Sequence, residues 1–277
     1  MTRNSYAKGS RDPWNYFSQR APRRDRNRGA LLSSGAMPAP PFIPFSVLLG
    51  ILGILCVALT VFWNQKWRGG FAWDGSAEMF NWHPVLMVTG LVVLYGTAAL
   101  VYRVPRSWEG SKLPWKMLHA ALTLAAFVLA VLGLVAVFEF HNKAGIPNMY
   151  SLHSWLGLAT VLLFSCQWLV GFASFLLPWA PNWLRALYKP IHVFFGSAIL
   201  PLAMAASISG INEKLFLSLK NPTPYSQLPA EAWFANILGM LILVFGLLVL
   251  WALAMPAWKR PEPDSQETQQ PLLQEAS

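Results

Sequence analysis

Six long apolar stretches alternate with shorter polar segments along this chain. Each stretch is free of Asp, Glu, Lys and Arg and approaches the roughly 20 residues that an α-helix needs to cross the hydrocarbon core of a bilayer. The stretches cover residues 43–62, 84–102, 117–138, 152–177, 191–211 and 232–255. The pattern predicts an all-α, polytopic membrane protein with six transmembrane helices and no separate soluble domain.

The composition supports this class and divides the chain into three parts. Of the 277 residues, 55% are hydrophobic and only 12% are charged, which is more apolar surface than a soluble domain needs. Residues 1–42 are rich in Arg, Ser and Pro and predict a disordered, basic N-terminal arm, while residues 258–277 predict a tail. Residues 43–257 form the predicted six-helix membrane domain.

The distribution of Lys and Arg predicts the orientation in the membrane. With six spans, both termini share one side with the loops between spans 2 and 3 and between spans 4 and 5, and this side carries 16 of the 21 basic residues. By the positive-inside rule, both termini face the cytosol. The net charge of +9 therefore follows mainly from topology, and we expect no nucleic-acid partner.

Four of the five histidines lie at the ends of four successive apolar stretches, at His83, His119, His153 and His192. Because consecutive spans run in opposite directions, His83 and His153 share the non-cytosolic level of the membrane. His119 and His192 share the cytosolic level for the same reason. Ionisable side chains at membrane depth mark functional sites by default, and helix bundles build cofactor sites between facing helices.

Two imidazoles at each level favour haem over a zinc ion. A tetrahedral zinc site needs three or four protein ligands at one place. Two imidazoles on opposite faces of a porphyrin complete the coordination of iron and leave no position for substrate, which favours electron transfer. We expect spans 2–5 to form a central four-helix bundle with two haems, at levels roughly 20 Å apart. His83 and His153 would be the axial ligands of the outer haem, and His119 and His192 those of the inner haem.

Glycines follow two of the histidines at helical spacing. Gly157 lies four residues after His153, and Gly196 lies four residues after His192, so each shares a helix face with a candidate ligand. The absent side chains would let a flat macrocycle approach the backbone, although such glycines also allow close helix packing.

A transporter or proton channel, with histidines along a polar path, is the alternative from another class of protein. Against it, the spans lack Asp, Glu, Lys and Arg and show no repeat of broken helices. The two hypotheses differ in whether the purified protein carries a haem absorption band that responds to a reductant.

Four segments around the histidines resemble the cytochrome b561 family of ascorbate-dependent transmembrane reductases. The resemblance runs from about Arg68 to Pro261 and is carried by FNWHPVLMVTG, KMLHAAL, FHNKAGIPNMYSLHSWLG and KPIHVFFG. The segments GGFAWDGS, SGINEKLF and WKRPEP…QPLL are similar to the branch described as lysosomal or late-endosomal ascorbate ferrireductases.

The resemblance implies electron transfer across the membrane. Cytosolic ascorbate would donate electrons through two b haems to an acceptor on the lumenal or extracellular side, with ferric iron reduced to ferrous iron as the leading hypothesis. Reduction of monodehydroascorbate inside a vesicle is the alternative within the family. The resemblance also implies a homodimer in the lipid bilayer of late endosomes or lysosomes, with the plasma membrane or secretory vesicles as alternatives.

At the cytosolic face, the resemblance implies roles for five basic residues. Lys112, Lys116 and Arg185 would bind ascorbate, since fixed cations attract its monoanion. The alternative is that these three residues only obey the positive-inside rule. Arg103 and Lys259 would contact the propionates of the inner haem.

At the other face, the resemblance implies a cover for the outer haem and an acceptor site. His141 lies about six helical turns after His119, so a helix carries it about 33 Å to the far face. The resemblance implies that His141 meets the electron acceptor, and a solvated loop histidine is the alternative. The implied contacts of the outer haem are Asn148, Met149, Tyr150, Ser151 and Glu213.

Overall fold

The computed structural model describes residues 41–259, and all regular structure in this part is helical. Six helices are long and apolar enough to cross a membrane, which confirms the predicted six spans. The predictions for the arm at residues 1–40 and for the tail from residue 260 lie outside the described residues. In chain order the helices are α1 (Phe42–Trp67), α2 (Ala77–Arg103), α3 (Leu113–Ala144), α4 (Leu152–Phe175), α5 (Asn182–Ser218) and α6 (Ala230–Ala254).

Two helices continue beyond the apolar stretches that predicted them. α3 has 32 residues and α5 has 37, because intrahelical hydrogen bonds continue where the side chains become polar. α3 ends at Ala144 and is capped by Gly145, whose φ of 67° is left-handed and whose amide donates to the carbonyl of His141. α5 begins after Pro181, so Arg185 lies on a helix rather than in a loop.

The second span is irregular. Its middle, Val88–Leu94, is π-helical, with α-helical turns at Trp82–Met87 and Tyr95–Ala99 on either side. A π-helical turn accommodates one additional residue and is frequent at functional sites. The insertion therefore shifts the side-chain register of the second half of α2 relative to the first.

The four middle helices pack as two hairpins. α2 packs against α3 and α4 against α5, and these contacts are the most extensive in the described residues, whereas fewer contacts join α3 to α4. α1 and α6 pack against each other, and α6 also covers α5. The buried core includes Cys56, Val92, Phe164, Ile199 and Phe245. Large apolar side chains on the outward faces are exposed, as expected for surfaces in contact with lipid.

The packed core continues one residue past the predicted domain boundary. Trp258, which ends the short 3-10 helix Pro256–Trp258, is buried. Its ring centroid lies 5.3 Å from that of Phe42 at the start of α1, in an edge-to-face arrangement. The two ends of the membrane domain therefore pack against each other.

Candidate functional site

Two histidines from different hairpins face each other at one end of the bundle. The ring centroids of His83 in α2 and His153 in α4 lie 6.0 Å apart, with the ring planes at 85°. Nδ1 of His83 lies 3.0 Å from the carbonyl oxygen of Gly133, and Nδ1 of His153 lies 2.8 Å from that of Ala206. A carbonyl oxygen only accepts, so each Nδ1 carries the proton and each Nε2 keeps a lone pair for a metal ion.

A second pair forms in the same way towards the other end of the bundle. His119 in α3 and His192 in α5 have ring centroids 6.3 Å apart and ring planes at 78°. Nδ1 of His119 donates to the carbonyl oxygen of Ala98 over 2.9 Å. Nδ1 of His192 is buried and has no hydrogen-bond partner within the described residues. The structure thus brings together the two pairs that depth in the membrane predicted.

The geometry of both pairs fits a metal ion held between two imidazoles. At about 2 Å per metal–nitrogen bond, two rings on opposite sides of one ion have centroids about 6 Å apart. The observed separations of 6.0 and 6.3 Å match this value. Within residues 41–259, no three His, Cys, Asp or Glu side chains converge on one point, which does not fit a tetrahedral zinc site. The residues present therefore fit a haem with two axial histidines.

A cavity of about 530 Å³ opens beside the outer pair. Its walls include His83, His153 and Gly157, and a Cβ atom added to Gly157 would meet nothing within 4 Å. Open space on the same helix face as a candidate ligand suits the approach of a flat macrocycle. Near the inner pair, a Cβ atom added to Gly196 would meet only the hydroxyl of Tyr95, at 3.8 Å.

The two hairpins repeat the same arrangement of histidines and acceptors. Gly133 follows His119, and Ala206 follows His192, at the same spacing along the helix. In α2 the acceptor Ala98 follows His83, and the spacing is one residue longer than in α3 and α5. The π-helical segment between His83 and Ala98 accounts for this additional residue. The shared spacing is about four turns of about 5.4 Å each, which places the two histidine levels about 21 Å apart.

Two glycines that the sequence analysis did not single out allow two of the rings to pack. A Cβ atom at Gly210 would lie 2.6 Å from Cε1 of His153, and one at Gly171 would lie 2.9 Å from Cε1 of His192. Only glycine allows such close packing against the facing helix. The sequence does carry a signal for them, since each glycine lies about five helical turns after the histidine of its own helix.

We expect Gly210→Ala to displace the imidazole of His153 and weaken its bond to Ala206. Loss of a buried hydrogen bond costs about 1 kcal/mol, and loss of the bond that orients a ligand lowers metal affinity about 10- to 100-fold. Haem per chain, measured from the pyridine haemochrome spectrum, should fall towards one. Gly50→Ala is the matched control, because its new Cβ would meet nothing within 4 Å. Equal haem content in the two variants would contradict this packing argument.

Two of the three predicted ascorbate-binding residues converge on the end of α4. Nζ of Lys116 lies 3.5 Å from a carbonyl oxygen of its last turn. The guanidinium of Arg185 donates 3.0 Å hydrogen bonds to the carbonyls of Ser174 and Leu177. These bonds satisfy carbonyls that a helix leaves unpaired at its C-terminus. Lys112 lies one turn before Lys116, at the N-terminal boundary of α3.

The two predicted propionate partners lie at the C-terminal end of α6. The guanidinium of Arg103 donates hydrogen bonds to the carbonyls of Leu253 and Met255 and so ties α2 to α6. Lys259 follows the 3-10 helix Pro256–Trp258, and its side chain is exposed.

The outer cavity collects most of the residues predicted at the far face. Its lining includes Asn148, Met149, Tyr150, Glu213 and His141. Ser151 is not part of the lining. Its hydroxyl accepts a hydrogen bond from the amide of Ser154 and so caps the start of α4.

The segment before α4 is ordered by hydrogen bonds around the cavity. The side-chain amide of Asn148 donates to Oδ1 of Asn142 over 2.8 Å. Met149 has a φ of 59°, a strained left-handed conformation for a side chain of this size, and its carbonyl accepts from Nε1 of Trp155. Partial burial and the nearby charge of Glu213 raise the pKa of Tyr150.

His141 lies on α3, close to its end, rather than in a loop. The imidazole is partly buried, and its centroid lies 5.7 Å from that of Phe140. It shares the cavity with both outer histidines, so the structure places the predicted acceptor residue beside the outer pair.

Known proteins match this chain over most of its length. The profile of the family described as eukaryotic cytochrome b561 matches residues 82–218. The lysosomal membrane ascorbate-dependent ferrireductase of Homo sapiens is 67% identical over 228 residues, which are 82% of this chain and 94% of that protein. The protein of the same name from Danio rerio is 56% identical over 232 residues, 82% of this chain and 94% of that protein. The plasma membrane ascorbate-dependent reductase of Xenopus laevis is 50% identical over 232 residues, 84% of this chain and 81% of that protein. The chain belongs to the cytochrome b561 family.

Proposed function

We propose that the protein is a transmembrane oxidoreductase that takes electrons from ascorbate on one side of the membrane and reduces ferric iron on the other. The observation that carries this proposal is the presence of two histidine pairs, 6.0 and 6.3 Å between centroids, towards opposite ends of one bundle. The names of the human and zebrafish relatives, ascorbate-dependent ferrireductases, support both the donor and the acceptor.

We assign one haem b to each histidine pair, with His83 and His153 as ligands of the outer haem and His119 and His192 as ligands of the inner haem. When bound there, haem would supply reversible one-electron exchange. The chain fixes the rings, because carbonyls of the partner helix hold three of the four Nδ1 protons and so direct Nε2 away from the backbone. The accessible surface of the cavity walls beside the outer pair is largely apolar.

On the donor side, Lys112, Lys116 and Arg185 form a cationic face that attracts the ascorbate monoanion. Ascorbate gives up one electron and one proton for each ferric ion reduced, and it leaves as monodehydroascorbate. Arg103 and Lys259 are the proposed partners of the inner haem propionates. The positive-inside rule assigns this face, and both termini, to the cytosol.

On the acceptor side, His141 supplies an imidazole beside the carboxylate of Glu213, and oxygen donors of this kind suit ferric iron as a hard ion. The ion takes up one electron and leaves as ferrous iron. The proposed cover of the outer haem consists of Asn148, Met149, Tyr150 and Ser151, with Ser151 acting through the N-terminal cap of α4.

The lysosomal membrane is the proposed location, in agreement with the names of the human and zebrafish relatives. We also propose a homodimer, which cross-linking in intact membranes followed by denaturing electrophoresis would test.

Ferric reduction by proteoliposomes tests the proposed function directly. Vesicles loaded with ascorbate and bearing the purified protein should form ferrous iron from external ferric citrate, detected with an impermeant ferrous chelator. Vesicles without protein, and vesicles without internal ascorbate, are the controls. Absence of ferrous iron while the haem bands are reduced by internal ascorbate would reject ferric iron as acceptor. Addition of external monodehydroascorbate then tests the alternative acceptor.

We expect His141→Ala to slow reoxidation by ferric iron without loss of haem. The imidazole lines the cavity but is not one of the paired rings, so both haems should stay bound and be reduced by ascorbate at the normal rate. Stopped-flow reoxidation should show a rate several-fold lower at low ferric concentration and a smaller difference near saturation. Identical rates across the whole ferric titration would remove His141 from the acceptor site.

A further inference from the structure

The sequence analysis counted Lys214 only as a charge on the non-cytosolic side, but its side chain lines the outer cavity together with His83 and His153. Its ammonium nitrogen lies 4.0 Å from the centroid of the Phe80 ring. Within residues 41–259 it makes no ion pair with a carboxylate at 4.0 Å or less. A cation–π contact with Phe80 therefore holds the ammonium in place without neutralising its charge.

The acidic residues near Lys214 do not form an ion pair with it. Glu231 is buried and pairs with the guanidinium of Arg68, and it also accepts a 2.8 Å hydrogen bond from Nε1 of Trp63. Glu213, next to Lys214 in sequence, lines the same cavity but makes no ion pair with Lys214 at 4.0 Å or less. Adjacent residues of a helix point in different directions, about 100° apart, so Glu213 is not a natural partner for Lys214.

The ionisable side chains that line the cavity with Lys214 are mostly basic. His83, His141 and His153 line the cavity beside it, and Glu213 is the one carboxylate of the lining within the described residues. A partly buried ammonium without a counter-ion is unfavourable, and such groups at membrane depth normally face a partner or a ligand. An anion that enters the cavity would relieve this imbalance.

We propose that Lys214 anchors a carboxylate in the outer cavity. The inference rests on the proposed function, since this cavity lies beside the outer haem ligands and the acceptor residue. A carboxylate reaches the cavity from two sources: a propionate of the haem held by His83 and His153, or an anionic ferric chelate such as ferric citrate. Either one forms a charge-assisted hydrogen bond with the ammonium.

The first arm of the test measures release of haem. Holoprotein carrying Lys214→Gln should transfer haem from the outer site to apomyoglobin about fivefold faster than wild type if the carboxylate is a propionate. After reconstitution with haem dimethyl ester, whose carboxylates are blocked, wild type and variant should release it at equal rates. Lys214→Arg keeps the charge and should restore the slow release.

The second arm measures the acceptor. If the carboxylate belongs to the chelate, Lys214→Gln should raise KM for ferric citrate about fivefold and leave KM for the neutral tris-maltolate complex unchanged. Lys220→Gln is the matched control, because it removes a charge from the same end of α5 without changing the cavity lining. Lys214→Met keeps the apolar stem over Phe80 and replaces Lys214→Gln if that variant does not fold.

Faster haem release in Lys214→Gln would support the carboxylate site and identify a propionate as its source. A higher KM for ferric citrate would support the site and identify the chelate, and both effects can occur together. Haem release and chelate selectivity equal to those of wild type and Lys220→Gln would overturn it. Failure of the proposed function is a separate result, because wild-type vesicles would then form no ferrous iron whatever residue occupies position 214.

Discussion

His153→Ala should lose the outer haem and keep the inner one, and His192→Ala should do the reverse. In the proposed assignment each ring would provide one of two axial ligands. Removal of a ligand is expected to reduce metal affinity by more than the 10- to 100-fold typical of residues that only orient a ligand. Haem per chain should fall from two to about one in each variant. Ferric reduction from internal ascorbate should fall about 100-fold or more in both, because either loss interrupts transfer between the faces.

The remaining histidines provide the controls for this prediction. His83→Ala should match His153→Ala in the absorption spectrum and reduction potential of the haem that remains. His119→Ala should match His192→Ala in the same way, because the two histidines of each pair share one proposed site. His141→Ala should retain both haems. Two haems per chain in all four of these alanine variants would contradict the assignment. So would spectra that group the four variants into other pairs.

Arg185→Ala combined with Lys116→Ala should raise KM for ascorbate about tenfold at low ionic strength, with haem content unchanged. Reduction by dithionite should stay normal, because the double variant changes the donor site and not the haems. High salt should weaken ascorbate binding to the wild type and reduce the difference, since the attraction is screened. The measurement is the rate of haem reduction against ascorbate concentration in stopped flow.

These two cations also cap the end of α4, so the charge and the hydrogen bonds must be separated. Arg185→Lys keeps the charge but cannot reproduce both 3.0 Å bonds of the guanidinium. Lys112→Ala removes a charge from the same face, at the boundary of α3 rather than at the end of α4. Normal ascorbate kinetics in Arg185→Lys and weakened kinetics in Lys112→Ala would support the electrostatic role. Loss of thermal stability without any change in ascorbate kinetics would leave only the capping role.

The six spans and the pairing of the histidines could be predicted from sequence, because both follow from length, hydropathy and the alternating direction of successive helices. The π-helical segment Val88–Leu94 could not, since its apolar residues fit an ordinary helix equally well. The rings that pack against Gly171 and Gly210 depend on how the helices rotate, which packing decides. Lys214 illustrates the same limit: charge counting placed it on the same side as His83 and His153, but only the structure shows that it lines a cavity with them.

The direction of the histidine bonds has a consequence for the assembly of the molecule. His83 and His119 donate to carbonyls within the α2–α3 hairpin, and His153 donates within the α4–α5 hairpin. Each bond therefore closes one hairpin, whereas each histidine pair joins one hairpin to the other. Helical hairpins can insert and close before they associate in the bilayer. We expect chains made under haem depletion to contain formed but separated hairpins, and to be cleaved by protease in the segment between α3 and α4.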